Sequence, residues 1–357
     1  MRISPIARLI WATAATALAG ALLYLLLMPV KADPQVWQPK PAQVLTAENH
    51  PPATRLLVEQ LQGPAKLVPH FQGKLATGLR DGRIVVFDPA SGVVKPKGSI
   101  AGRPRGLQTS SSSGFVVAEP DRGVLGARKH RVPVVSNGPD DSPVRQALDV
   151  AIDPQGLLWF VDASARWSAA QAWPALVEHA ADGRLLRFDD RERHTDVALG
   201  DLAFPAGLAL SHAGDALLIS ELAAHRIRRY WLSGPRAGQS EVLVDGLPGY
   251  PAHISHTADG RYWVALMGPR LAALEAAAQR PWLARMLLRL PAWLRPQLKP
   301  RLLAVAIDDQ GRILQTIDQP AGGGHAPITS VIEHDSQLLF ASPWADGVRV
   351  MPKPSAP

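Results

Sequence analysis

The stretch that decides the fold runs from Phe204 to Leu266 and reads FPAGLALSHAGDALLISELAAHRIRRYWLSGPRAGQSEVLVDGLPGYPAHISHTADGRYWVAL. Two apolar strands, LLIS and YWVAL, each follow a small turn, AGD and ADG, and lie about 45 residues apart. A period of roughly 40–50 residues is the signature of β-propeller blades. Working outward, comparable apolar runs begin near Lys74 (KLATG), Phe115 (FVVAE), Leu157 (LLWFVD), Ala216 (ALLIS), Arg261 (RYWVAL) and Gln337 (QLLFAS). Second strands follow them, such as RIVVFD (83–88), RLLRFD (184–189), RIRRYWL (226–232) and LLAVAID (302–308). Two of the intervals are long and each holds an insertion. Blades arranged around an axis protect their strand edges. A parallel α/β fold needs a helix of 10–15 residues between strands, and most of these gaps lack one. The expected fold is therefore all-β: a six-bladed β-propeller over residues 53–353, with an N-terminal transmembrane helix and a helical insertion at 269–301.

Composition agrees. The chain has 357 residues, 33 Pro and 29 Gly, and only 19% charged residues, which suits many short strands joined by tight turns. It has no Cys, so disulfides, thiolate chemistry and cysteine-based zinc sites are excluded. The net charge of +7 comes mostly from scattered Arg such as Arg83, Arg184 and Arg312. Nucleic-acid binding wants a clustered basic stripe and a recognition motif, and neither is present. A membrane surface is the better reading of the charge.

Residues 9–28, LIWATAATALAGALLYLLLM, carry no charge. At 1.5 Å per residue this run spans a hydrocarbon core of about 30 Å. Arg2 and Arg8 precede it, so the positive-inside rule keeps the N-terminus cytoplasmic and exports the propeller. The expectation is a single-pass membrane anchor over 1–32. A cleaved signal peptide is the competing reading, because Val30-Lys31-Ala32 ends in a small-residue pattern. Residues 33–52 hold five Pro and read as a stiff spacer.

The wording of the blades resembles the strictosidine synthase-like family of six-bladed propellers, relatives of gluconolactonases and paraoxonases. The residues that carry the resemblance are GRPRGL (102–107) with FVVAEPDRGVL, LDVAIDPQGLLWFVDAS (148–164), GRLLRFD (183–189), ISELAAHRIRRYWLSGPRAG…LPGYPAHI (219–254) and ITSVIEHDSQLLFAS (328–342). The resemblance implies a propeller with a ligand site in its central tunnel. In the wider group a calcium ion sits there, held by Glu, Asn and Asp. Here those positions fall on Ala65, on Gln146 or Ala147, on Ala206, and on Ala252-His253. Alanine offers no side-chain oxygen, and hard cations want several. No cofactor is therefore expected. The base that the plant synthases use falls on Thr329, and a hydroxyl is not a general base by itself. Amine–aldehyde condensation is not supported.

The remaining candidates are few. His253 occupies a position that, by resemblance, points into the tunnel, and His titrates near neutrality. His325, in GGGHAPITS, is a second candidate base. Glu221, Glu119 and Asp162 end inner strands and could act as acid, base or substrate contacts. Carboxylates at such places more often satisfy backbone N–H groups of turns. Ala206 and Ala252 are expected to line the substrate pocket. The reading is a membrane-tethered propeller that binds, and can hydrolyse, a small apolar lactone or ester without a metal. Its rival is an inactive propeller that serves as a binding or scaffold module in the envelope.

The insertion offers one more partner. In Trp282–Leu290 the residues Leu283, Met286, Leu287 and Leu290 share a helical face, with Arg285 and Arg289 opposite and Trp293, Arg295 and Lys299 nearby. A basic amphipathic helix with Trp reads as membrane-interfacial, over 282–299. A lid packed on the propeller is the equal alternative.

Overall fold

The computed structural model describes residues 5–43, 55–110, 114–126, 135–139, 142–299, 301–320 and 327–354. The chain divides into two compact units. The larger unit, which contains every described strand, is a six-bladed β-propeller.

Each blade is an antiparallel sheet, built in chain order from the axis outward except for the outermost strand of the sixth. The innermost strands are Leu67–His70, Gly106–Ser110, Ala147–Ile152, Pro205–Leu210, Gly249–His256 and Ser330–His334. Each packs against the innermost strand of the next blade, and the sixth packs against the first, so the ring is closed. Five blades have four strands; the second shows three among the described residues. The ring is fastened by Arg55–Gln62, which pairs antiparallel with Asp346–Pro352 and so completes the last blade from the other end of the domain.

Period-two alternation explains why the second strands are apolar on both sides. Along Tyr262–Leu266, Tyr262, Val264 and Leu266 pack toward the fourth blade with Leu218 and Ile227. Trp263 and Ala265 pack the other way, with Val331, Leu338 and Phe340 of the sixth. Successive side chains of a strand point to opposite faces, and here both faces meet a neighbouring blade. Full burial of each such side chain stabilises the fold by about 1.5–3 kcal/mol. An added charge on either face would have no solvent to reach.

Both long intervals hold helices. α1 (Pro5–Leu27) is the apolar N-terminal segment. α2 (Ala172–Glu178) lies in the first insertion, and α3 (Ala272–Ala278) and α4 (Pro281–Arg289) in the second. The smaller unit gathers the chain up to Gln38, Trp173–Ala180 and Leu271–Gln297. Within it α4 packs on α1 and α3. The extended segment after α1 is pinned by backbone bonds from Gln35 N–H to the Glu178 carbonyl (2.8 Å) and from Trp37 N–H to the Ala278 carbonyl (2.8 Å). Asp33 N–H donates to the Glu178 carboxylate at 2.6 Å. Trp37 stacks on His179 with ring centroids 5.0 Å apart. Residues 33–38, the start of the stretch read as a stiff spacer, are thus tied into this unit.

Arg289, on the helix face opposite the leucines, caps α1. Its guanidinium donates to the carbonyls of Leu25 and Met28 at the C-terminal end of α1. The last carbonyls of a helix have no partner within it, and a cation there also suits the helix dipole.

Candidate functional site

One end of the propeller axis opens into a cavity of ≈ 180 Å³. Its walls are largely apolar, with Phe204, Ala206, Ala252, Met267 and Trp344 among them. Four polar side chains also line it: Arg105, Gln146, His253 and Thr329. A second cavity of ≈ 90 Å³ lies along the inner strands and is lined by Lys66, Gln108, Ser255 and His256.

Between His253 in the first wall and Lys66 in the second stands Asp149, fully buried. Its Oδ1 accepts from Lys66 Nζ at 2.6 Å and from Val150 N–H at 2.8 Å. Its Oδ2 accepts from Leu208 N–H at 2.8 Å and lies 2.9 Å from His253 Nδ1. Burial acts to raise the Asp149 carboxyl, but the charge of Lys66, the electrostatic contact with His253 and the hydrogen bonds from both outweigh it and hold the group below the usual carboxylate range. An ionised carboxylate accepts only, so Nδ1 of His253 carries its hydrogen. Nε2 is left as the free ring nitrogen, with no protein partner among the described residues.

Two glycines make the arrangement possible. A Cβ on Gly106 would lie 2.6 Å from Asp149 Oδ1. One on Gly207 would lie 2.2 Å from the Ala252 carbonyl oxygen and 2.8 Å from the Cα of His253. Neighbouring inner strands approach this closely only where a side chain is absent.

Thr329 and the two alanines stand where expected. Ala206, Ala252 and Thr329 line the cavity beside His253. His253 N–H donates to the Thr329 carbonyl at 3.0 Å, which fixes one inner strand against the next. The Thr329 hydroxyl donates to the Ala65 carbonyl at 2.7 Å, so its proton is already committed. Gln146 is held by its amide, which donates to the Trp167 carbonyl at 2.9 Å.

The strand-end carboxylates do not join them. Glu119 accepts from Arg103 N–H (3.0 Å) and Asp121 N–H (2.9 Å). Asp162 accepts from Gln146 N–H (2.8 Å) and pairs with Arg184 at 2.9 Å. Burial lifts the Asp162 carboxyl above its ordinary range, against the pull of the Gln146 N–H and of Arg184. Glu221 accepts from Ala203 N–H (2.8 Å) and pairs with Arg226 (2.5 Å) and Arg228 (3.2 Å). The same device recurs in three consecutive blades: a carboxylate ending the second strand caps the turn that enters the first. None of the three lines the cavity. His325 lies outside the described residues.

A hard cation does not fit these residues. Ala65, Ala206 and Ala252 supply no side-chain oxygen, and Asp149 already receives four donors. Among the described residues no three His, Asp or Glu side chains converge as a ligand set. An ammonium, Lys66 Nζ, supplies the positive charge at the centre of the ring.

Six blades around an axial cavity define the class: a six-bladed β-propeller with a cavity on its axis. Comparison with known proteins narrows it. Residues 146–235 match the family model for strictosidine synthase. Human adipocyte plasma membrane-associated protein is 29% identical over 353 residues, covering 91% of this chain and 84% of the relative. The strictosidine synthase-like 3 protein of Arabidopsis thaliana is 28% identical over 316 residues, covering 80% and 81%. Among solved structures, a gluconolactonase from Xanthomonas campestris superposes with a TM-score of 0.60 at 14% identity, covering 88% of this chain and 99% of its own. The calcium-binding protein regucalcin from Agrobacterium tumefaciens gives 0.56 at 16%, covering 85% and 96%. At such identities the likeness to these structures is one of fold. The chain is thus a six-bladed propeller similar to the strictosidine synthase-like proteins, and an apolar N-terminal helix compatible with a single membrane span precedes the propeller domain.

Proposed function

We propose that the protein hydrolyses small apolar esters or lactones in the axial cavity, with His253 as general base and without a metal ion. The observation that carries this is the contact between His253 Nδ1 and Asp149 Oδ2. It sets the tautomer, places an unshared Nε2 on an imidazole of the cavity wall, and leaves the apolar wall to hold the substrate. In the proposed step Nε2 takes a proton from a water whose oxygen attacks the acyl carbon. The imidazolium, stabilised by Asp149, then returns that proton to the departing alkoxide, giving acid and alcohol. General-base assistance of this kind is worth about 10²–10⁴ in rate. Thr329 is not the nucleophile in this scheme, because its hydroxyl hydrogen is bonded to Ala65. The fold is shared with a gluconolactonase, which supports a lactone as the first substrate to try. The test is proton release from phenyl acetate and from δ-valerolactone by the full chain. Ligand binding without turnover of either class assigns the protein instead to the non-catalytic binding modules.

The membrane reading belongs to the smaller unit. α1 contains an uncharged, predominantly apolar run of 19 residues, Leu9–Leu27, with largely exposed side chains. We infer a single pass with the N-terminus cytoplasmic, from Arg2 and Arg8, and an interfacial seat for 282–299. Trp282, Trp293 and Leu294 are exposed, and Arg289 ties α4 to the C-terminal end of α1, where a spanning helix leaves the hydrocarbon. Trp at that depth suits the headgroup region. The relative from human is described as plasma membrane-associated.

A further inference from the structure

Arg105 lies in the wall of the axial cavity, on the turn that leads into the second blade's inner strand. Its guanidinium stacks over the Trp344 ring, 5.3 Å from the centroid. A guanidinium lying over an aromatic ring can still offer its N–H edges to a planar partner.

Among the described residues it has no such partner. Other half-buried arginines of the propeller do: Arg184 pairs with Asp162, Arg226 and Arg228 with Glu221, and Arg261 with Asp259. Lys66, the other cation at the axis, is matched to Asp149. Glu119 is felt electrostatically by Arg105, but its oxygens are already taken by the N–H groups of Arg103 and Asp121. Burial, with the charge of Arg103, disfavours the Arg105 cation and pulls its pKa down. Among the described residues, the Arg105 charge in the cavity wall therefore has no ion-pair partner. A desolvated charge without a counter-ion is costly, and an anion arriving there recovers that cost through charge-assisted hydrogen bonds.

We propose that the ligand of this cavity is an apolar molecule bearing a carboxylate, and that Arg105 receives the carboxylate while Phe204, Met267 and Trp344 hold the apolar body. This rests on the reading of the cavity as the ligand site, and it narrows the substrate class to half-esters of apolar dicarboxylic acids and to apolar lactones that carry a free carboxylate. It does not depend on turnover, because the recognition is made in the ground state.

The test uses the full chain in lipid nanodiscs and two stable probes of equal size, 4-phenylbutyrate and 4-phenylbutanamide, titrated by calorimetry. The wild type is expected to bind the acid at least 10-fold more tightly than the amide, through the charge-assisted pair. Arg105→Leu should erase the preference by weakening the acid and leaving the amide unchanged. Arg105→Lys, which keeps the charge without the fork, should retain part of it. Equal binding of acid and amide by the wild type overturns the proposal, as does a preference that survives in Arg105→Leu, or failure of the wild type to bind either probe. Neither probe is a test substrate for hydrolysis. A protein that prefers the acid but hydrolyses no ester supports Arg105 as the anion receptor and sinks only the hydrolytic reading.

Discussion

Lys66 holds its ammonium 2.6 Å from the carboxylate of Asp149, a residue with no solvent exposure, at the centre of the ring. The two come from different blades, and His253 from a third shares the same carboxylate. Structure and chemistry meet in this cluster, since it neutralises the axis and sets the tautomer of the proposed base.

Removing one member should therefore be costly. Lys66→Met leaves Asp149 buried without its main counter-charge, and breaking a buried pair typically costs about 3–5 kcal/mol. Urea unfolding should show that loss. Lys66→Met combined with Asp149→Leu should be more stable than Lys66→Met alone, because the orphaned charge is gone. A double variant no better than the single would show that the pair is not coupled.

Acid should weaken the fold in two stages. The Asp149 carboxyl is held low in the folded chain, so its contribution is present above the unfolded carboxylate value of about 4 and is lost as the pH falls below it toward the folded value. The His179 imidazole, packed on Trp37, is held down to about 4 by burial. The unfolded chain binds that proton first. Its contribution is therefore present above about 6.5 and is lost as the pH falls toward 4, on the order of 3 kcal/mol in all. His179→Phe should flatten the dependence of stability on pH in that upper window, read by melting in detergent. An unchanged slope would count against the burial assigned to His179.

Glu221 should behave as a structural group. Glu221→Gln leaves Arg226 and Arg228 without their carboxylate and should lower the melting temperature by several degrees, as expected for a loss of 1–3 kcal/mol. The rate on any ester should change less than 3-fold per folded molecule. A large loss of rate with an unchanged melting temperature would return Glu221 to the catalytic candidates.

How much of this was legible in the sequence depends on distance along the chain. The blades are local patterns, and their strands and turns follow from alternation within ten residues or so. The axial cluster is not local. Asp149 sits in the strand ALDVAI as one polar residue among apolar ones, and its partners Lys66 and His253 are 83 and 104 positions away. Only His253 stood out, because a titratable ring replaced an expected ligand. Arg105, inside GRPRGL, read as part of a turn, and nothing nearby in sequence shows that it lacks a counter-ion. α2 was missed because seven residues containing a Pro give no helical period.

The absence of Cys permits a clean test of the membrane seat. A nitroxide at Trp293→Cys or Leu294→Cys, in the full chain reconstituted with anionic lipid, should be more accessible to oxygen than to a water-soluble nickel complex. A label at Ser91→Cys, on an exposed turn of the first blade, should show the reverse. Labels at 293 and 294 that respond like the one at 91 would remove this segment from the interface. Recovery from cells of a chain starting at Asp33 would identify residues 1–32 as a cleaved signal peptide instead.

The most direct test of the catalytic claim is chemical rescue. The quantity is kcat/KM for phenyl acetate or δ-valerolactone, measured for the wild type, for His253→Ala, and for His253→Ala with added imidazole. The expected result is a loss of about 10²–10⁴ in His253→Ala, with part of the rate restored by imidazole occupying the space of the lost ring. Full activity in His253→Ala would contradict the assignment, and so would a loss accompanied by unfolding that imidazole does not reverse.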